Sequence, residues 1–172
     1  MGTKGFRRKG ISISVANWKD HMAVLGTVEL RRFNGVESYE VEEAEINVAL
    51  EGEMLLSLSA PTAVKTLEDT IDLGAQPQAS ISIFSTNDWD SELTAGCKFN
   101  VPMAYDEKRE RHVVEFSYVS FEDLNDNTIE VLERENDRIR FLWQGRTQDM
   151  NYYDGSKPDA KFNANFWAKI VR

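Results

Sequence analysis

Apolar and polar residues alternate with a period of two in seven separate stretches of this chain, the pattern of strands with one face in a core and the other in water. Ile11, Ile13 and Val15 alternate with Ser12 and Ser14. Ala44, Ile46, Val48 and Leu50 alternate with Glu43, Glu45, Asn47 and Glu51, and Met54, Leu56, Leu58 and Ala60 follow just past Gly52. Ile81 and Ile83 lie between serines, and Val114, Phe116 and Tyr118 alternate with Glu115 and Ser117. Ile139, Phe141 and Trp143 are separated by Arg140 and Leu142, and Phe162, Ala164, Phe166, Ala168 and Ile170 run almost to the end of the chain.

The sharpest local signal is Phe33-Asn34-Gly35-Val36. Asn-Gly tolerates the positive φ angles of a type I′ turn, so Asn34 and Gly35 are expected to be a two-residue hairpin loop. Arg32 then faces Glu37, Leu30 faces Tyr39 and Val28 faces Val41. The other face sets Glu29 against Glu40 and Thr27 against Glu42, and two carboxylates directly opposite repel. Tyr39 and Val41 point inward at odd positions, whereas Ala44, Ile46 and Val48 are even. Because a one-residue slip turns every side chain over, a bulge or break is expected at Glu42–Glu43, where the strand can leave one sheet and join another.

Residues 61–74 are the one stretch with helical spacing. Pro61 suits a first helical turn, Val64, Leu67 and Ile71 share a helical face, and Gly74 suits the position after a helix end. A short helix is expected there, with a strand through Leu67, Ile71 and Leu73 as the other reading. Residues 86–92 and 147–160 carry turn chemistry and are expected to be loops. Many short strands with few helical signals predict a mainly β fold, an antiparallel β-sandwich or barrel-like structure with at most one or two short helices. With 172 residues, the chain fits one domain, placed at 11–172 behind a basic arm at 1–10.

Charge changes this picture most. Residues 33–97 hold thirteen carboxylates against one basic side chain, Lys65, a local charge of −12 in a chain of −9. Such a block attracts cationic partners and repels nucleic acid and anionic membranes. The expected function is non-enzymatic binding of a basic protein, in the manner of an acidic inhibitor or immunity-type protein. Glu29, Glu40, Glu42, Glu43, Glu45, Asp88 and Asp90 are the candidate contacts. The plainer account is a solvated sheet face whose carboxylates discourage aggregation. The basic arm contributes +4 through Lys4, Arg7, Arg8 and Lys9, leaving −13 elsewhere, so a nucleic-acid role is not expected. The sequence leaves room for a homo-oligomer.

A second binding chemistry is carbohydrate recognition by loop aromatics. Trp89, Tyr152 and Tyr153 would stack on sugar rings while Asn151 and Asp154 bind hydroxyls. The competing account is that these rings fold over the ends of the sandwich.

Other chemistry finds little footing. Asn87, Asp88, Asp90 and Glu92 are oxygen ligands within one loop, and Asp123, Asn125 and Asn127 have the first spacings of a calcium loop. Thr128 and Arg134, however, stand where that loop needs glycine and glutamate. His21 and His112 are far apart, with no zinc spacing. The chain has no nucleophile elbow and no phosphate-binding glycine loop. Cys97 lies beside Lys98, which lowers a thiol pKa, but a lone cysteine next to an apolar run reads more simply as a buried small side chain. No catalytic residue, metal or cofactor is expected. The single cysteine suits a reducing compartment, so a cytoplasmic location is expected, and the apolar stretch after the basic arm is too short and polar for a signal peptide.

Overall fold

The computed structural model describes residues 23–49, 52–67 and 75–171. The expected strand at Ile11–Val15, the basic arm, His21 and the second half of the expected helix lie outside the described residues. Within them the fold is mainly β, with large, mostly antiparallel sheets that do not close into a barrel.

Its centre is a meander of three long strands, β12 (Leu124–Glu135), β13 (Arg138–Thr147) and β14 (Ala160–Val171). β13 pairs along its length with both neighbours. The free edge of β14 is then shared. Its first half pairs antiparallel with β1 (Gly26–Arg32), and its last residues pair in parallel with β3 (Glu43–Val48). The sheet therefore forks at β14. One branch continues through β1 to β2 (Gly35–Val41) and β5 (Thr62–Lys65), and β7 (Lys98–Val101) closes its far side against β12. The other runs through β3 to β4 (Glu53–Ser59), β6 (Gln78–Phe84), β10 (Val114–Ser117) and β11 (Phe121–Glu122). β8 (Tyr105–Asp106) and β9 (Arg111–His112) form a separate small ribbon.

The two branches face each other across one core. Phe116 of β10 meets Phe162 of β14 edge-on at 5.4 Å, and Phe162 meets Trp143 of β13 at 5.3 Å. Phe141, Phe166, Ile46, Leu56 and Ile81 are fully buried between the layers. The strands β3, β4, β6, β10, β13 and β14 bury alternate residues, as the alternation requires, except that Val48 at the end of β3 is exposed and Ile170 near the end of β14 is half-buried.

The hairpin at Asn34–Gly35 is present with a different register. Val28 faces Tyr39, Leu30 faces Glu37 and Arg32 faces Gly35, so the loop residues are Phe33 and Asn34. Neither has a positive φ, so a type I′ turn is not formed. Gly35, at φ 148°, starts β2 instead, and a Cβ there would meet Leu67 Cδ2 at 2.7 Å. Phe33 is held in the loop by an edge-on contact with Tyr152 at 5.3 Å. A shift of two residues preserves which side chains point inward but removes the expected repulsion: Glu29 lies opposite Ser38, and Glu40 opposite Thr27.

The break at Glu42–Glu43 falls where the parity conflict puts it. β2 ends at Val41 with odd residues buried, and β3 begins at Glu43 with even residues buried. The helix expected from Pro61 is absent from Thr62–Lys65, which form the exposed edge strand β5 on β2. The register of β3 with β4 carries on past Pro61 into that of β2 with β5, and two β-branched residues, Thr62 and Val64, suit an extended edge. Residues 89–92, expected as loop, form the single helical turn α1 (Trp89–Glu92) among the described residues.

Candidate functional site

β2 and β3 run antiparallel to β4 and β5 as one long ribbon bent at Glu42. Before the bend even residues point outward, and after it odd residues do. Glu40, Glu42, Glu43 and Glu45 therefore all project from the outer side of the ribbon, Glu43 and Glu45 exposed and the other two half-buried. Among the described residues, Glu40, Glu43 and Glu45 make no ion pair. Glu42 accepts a 2.5 Å hydrogen bond from the Thr62 hydroxyl, a neutral partner. Lys169 lies opposite Glu45 in the ladder, and among the described residues it forms no ion pair.

The other candidate acids are differently placed. Glu29 is bound by Arg31 at 2.6 Å and Asp90 by Arg134 at 2.7 Å. Asp88 precedes α1 and is exposed, beside Val48 and Ala49 at the far end of β3. In the same segment Glu92 is occupied by Ser85 Oγ and Asn87 Nδ2, at 2.8 and 2.5 Å. Among the described residues no three metal-ligating side chains come together. Asn125 and Asn127, read as part of a calcium-like spacing, sit in β12. Asn125 accepts the Ala104 N–H, and Asn127 lies in the core, donating to Val101 and Leu124 carbonyls and accepting the Trp143 indole N–H at 2.9 Å.

The loop aromatics are not brought together as a platform. Trp89 is only 6 % exposed and packs on Phe99. Tyr152 packs on Phe33, and Asn151 donates its backbone N–H to Asp149. Tyr153 is exposed, with its hydroxyl bound to Glu122 and Ser120, and the Glu122 carboxylate holds its pKa above the usual value. Asp154 accepts the Ser156 hydroxyl and N–H, which hold its carboxyl below the usual range. Cys97 is half-buried against the core, and His112 is exposed on β9, 3.9 Å from the equally exposed Asp123.

A buried charged cluster lies under the hairpin turn and the 148–159 loop. Arg32 Nη2 stands 3.3 Å from Glu37 Oε2, and Arg32 Nη1 donates to Asp149 Oδ1 at 3.0 Å; all three side chains are almost wholly buried. The Arg32–Glu37 pair is diagonal rather than directly cross-strand, since Gly35 occupies the opposite position. Tyr118 donates to Glu37 at 2.5 Å, and its hydroxyl meets that of Tyr39 at 2.8 Å. The cluster is enclosed, and it pins the loop through Asp149 to the first hairpin.

Burial, reinforced by Glu37, pushes the Tyr118 phenol far above its usual value, and burial raises Tyr39 as well. The folded state therefore keeps these protons where the unfolded chain, ionising near pH ~10, gives them up. Their stabilisation is complete below that pH and falls as pH rises through it, by about 1.4 kcal/mol per pH unit for each tyrosine. Urea midpoints measured from pH 9 to 11 should fall, and Tyr118→Phe should show the shallower slope. Equal slopes in the two proteins would contradict this account.

Fold and surface together define an open, sandwich-like β protein with an acidic ribbon on its exterior that no cation among the described residues pairs with. Comparison of the chain with known protein families, with characterised proteins and with solved structures finds no match.

Proposed function

We propose that this chain is a non-enzymatic protein-binding module that recognises a basic partner through Glu40, Glu42, Glu43 and Glu45. The observation that carries the reading is the placement of four successive outward carboxylates on one bent ribbon, with no cation bound to them among the described residues. Charge of this kind speeds encounter and selects partners by sign, while Glu29 and Asp90 are paired with Arg31 and Arg134. An acidic inhibitor or immunity-type protein acting in the cytoplasm is the most concrete form; the unpaired Cys97 suits that compartment. The sugar-binding alternative has less support, since Trp89 is buried and Tyr152 is engaged by Phe33. No helix among the described residues is long and apolar enough to cross a membrane.

The test is affinity capture from the source lysate at low salt with a salt-gradient elution. A basic protein should elute late. Against that protein, Glu43→Lys with Glu45→Lys should slow association about ten- to a hundredfold at low salt and leave thermal stability nearly unchanged. Retention of only acidic or neutral proteins, or an unchanged association rate, would remove the reading.

A further inference from the structure

The outer face of the second layer has a shape that the acidic ribbon alone does not reveal. Over this part of the face its two central strands, β4 and β6, present Ser57, Ser59, Ser80 and Ser82 together with the longer Gln78. The strands on either side present Glu43 and Glu45 on β3 and Glu115 and Ser117 on β10. Cross-strand register places Glu45, Ser57, Ser80 and Glu115 in one row, and Glu43, Ser59, Gln78, Ser117 and Phe121 in the next. The result is a serine-floored trough, about 14 Å across four strands at the usual ~4.8 Å spacing, with carboxylates on both walls. Two adjoining depressions of about 170 and 290 Å³ lie along it, sharing Ser57 and Gln78. Phe121, 82 % exposed, stands at the open end of its row. Strands β3, β4, β6 and β10 carry no lysine or arginine in these rows, and the row of Glu45 continues onto the exposed Lys169 of β14. Arg109 and Arg111 cover Phe84 at the far end, where Arg111 is bound to Glu53.

Resting on the basic-partner reading above, we propose that this trough seats a lysine- or arginine-rich segment of the partner protein, with Glu115 and Phe121 completing the contact that Glu43 and Glu45 begin. The charge complementarity is two-sided. A segment of helix diameter, ~10–12 Å, fits between the walls, and its cations reach Glu43 and Glu45 on one side and Glu115 on the other. The serine hydroxyls leave the floor low and wettable, and Phe121 supplies an apolar stop against the aliphatic stems of the partner's basic residues.

The experiment titrates the full chain with octalysine, using octaglutamate as the charge control, and maps backbone amide shifts by NMR. Saturable shifts should concentrate at Ser57, Ser80, Glu115 and Phe121. Glu115→Lys should weaken octalysine about fivefold or more. Ser80→Tyr, which fills the trough without changing charge, should weaken it about tenfold, with thermal unfolding confirming that each variant folds. If Glu43→Lys with Glu45→Lys weakens binding while Glu115→Lys and Ser80→Tyr bind as the wild type, the trough is wrong and the acidic ribbon stands. If none of the variants alters binding, both are overturned.

Discussion

Replacing Arg32 with methionine is expected to destabilise the fold by about 3–5 kcal/mol, read as a drop in the urea midpoint without a change in cooperativity. Arg32 sits between Glu37 and Asp149, at 3.3 and 3.0 Å, and the carboxylates of both are fully buried. Methionine keeps much of the apolar stem but withdraws the only cation touching either group among the described residues. Two buried charges then remain, and each must be left unpaired or take up a proton at a cost. Tyr118 still donates to Glu37, so Asp149 is the worse placed. Asp149 also accepts the Asn151 N–H, so the 148–159 loop should loosen with it and become the first site of proteolysis. Glu37→Gln should cost less than Arg32→Met, because the amide oxygen still accepts from Tyr118 and the remaining Arg32–Asp149 pair is balanced. A loss below about 1 kcal/mol for Arg32→Met would show that water reaches the cluster freely.

Trp143→Ala is expected to be comparably severe, about 3–5 kcal/mol, with Trp143→Phe costing about 1–3 kcal/mol. Trp143 is fully buried at the middle of β13, edge-on to Phe162, so alanine opens a cavity at the meeting of the two layers. Phenylalanine refills most of the volume but cannot donate a hydrogen bond. The Asn127 Oδ1 atom that receives the indole N–H is then orphaned. Asn127 also ties the start of β12 together through the Leu124 carbonyl and reaches Val101 on β7. Gly145 shares this spot, since a Cβ there would stand 2.9 Å from Asn127 Oδ1. Chemical denaturation of the two variants separates the cavity from the hydrogen bond. Equal losses would mean that the indole N–H contributes nothing.

Asn127 also shows why β12 is hard to read from the sequence. Leu124 and Asn127 are buried three apart, and the ladder to β13 shifts between Asn125 and Thr128, where Asp126 takes φ 52°. The bulge breaks the alternation, and a buried asparagine looks like turn chemistry. β14 is the opposite case. Its alternation is plain, yet nothing local indicates that its free edge divides between β1 and β3. The hairpin falls between these: the sides of its residues follow from parity, but its register does not follow from the Asn-Gly pair, and its loop residue Phe33 packs against Tyr152, far along the chain.

The candidate surface divides in the same way. That Glu40, Glu42, Glu43 and Glu45 all point outward was legible, because successive side chains on a strand must alternate and the parity conflict located the bend. Glu115, Phe121 and the serine floor were not. Their meeting with Glu43 and Glu45 depends on β4, β6 and β10 lying side by side. Every strand edge offers the same backbone donors and acceptors, so the order of strands is decided by which faces bury best against the opposite layer. Alternation is a property of covalent geometry and could be read from the chain. Adjacency is a property of the packed core, and only the tertiary structure decided it.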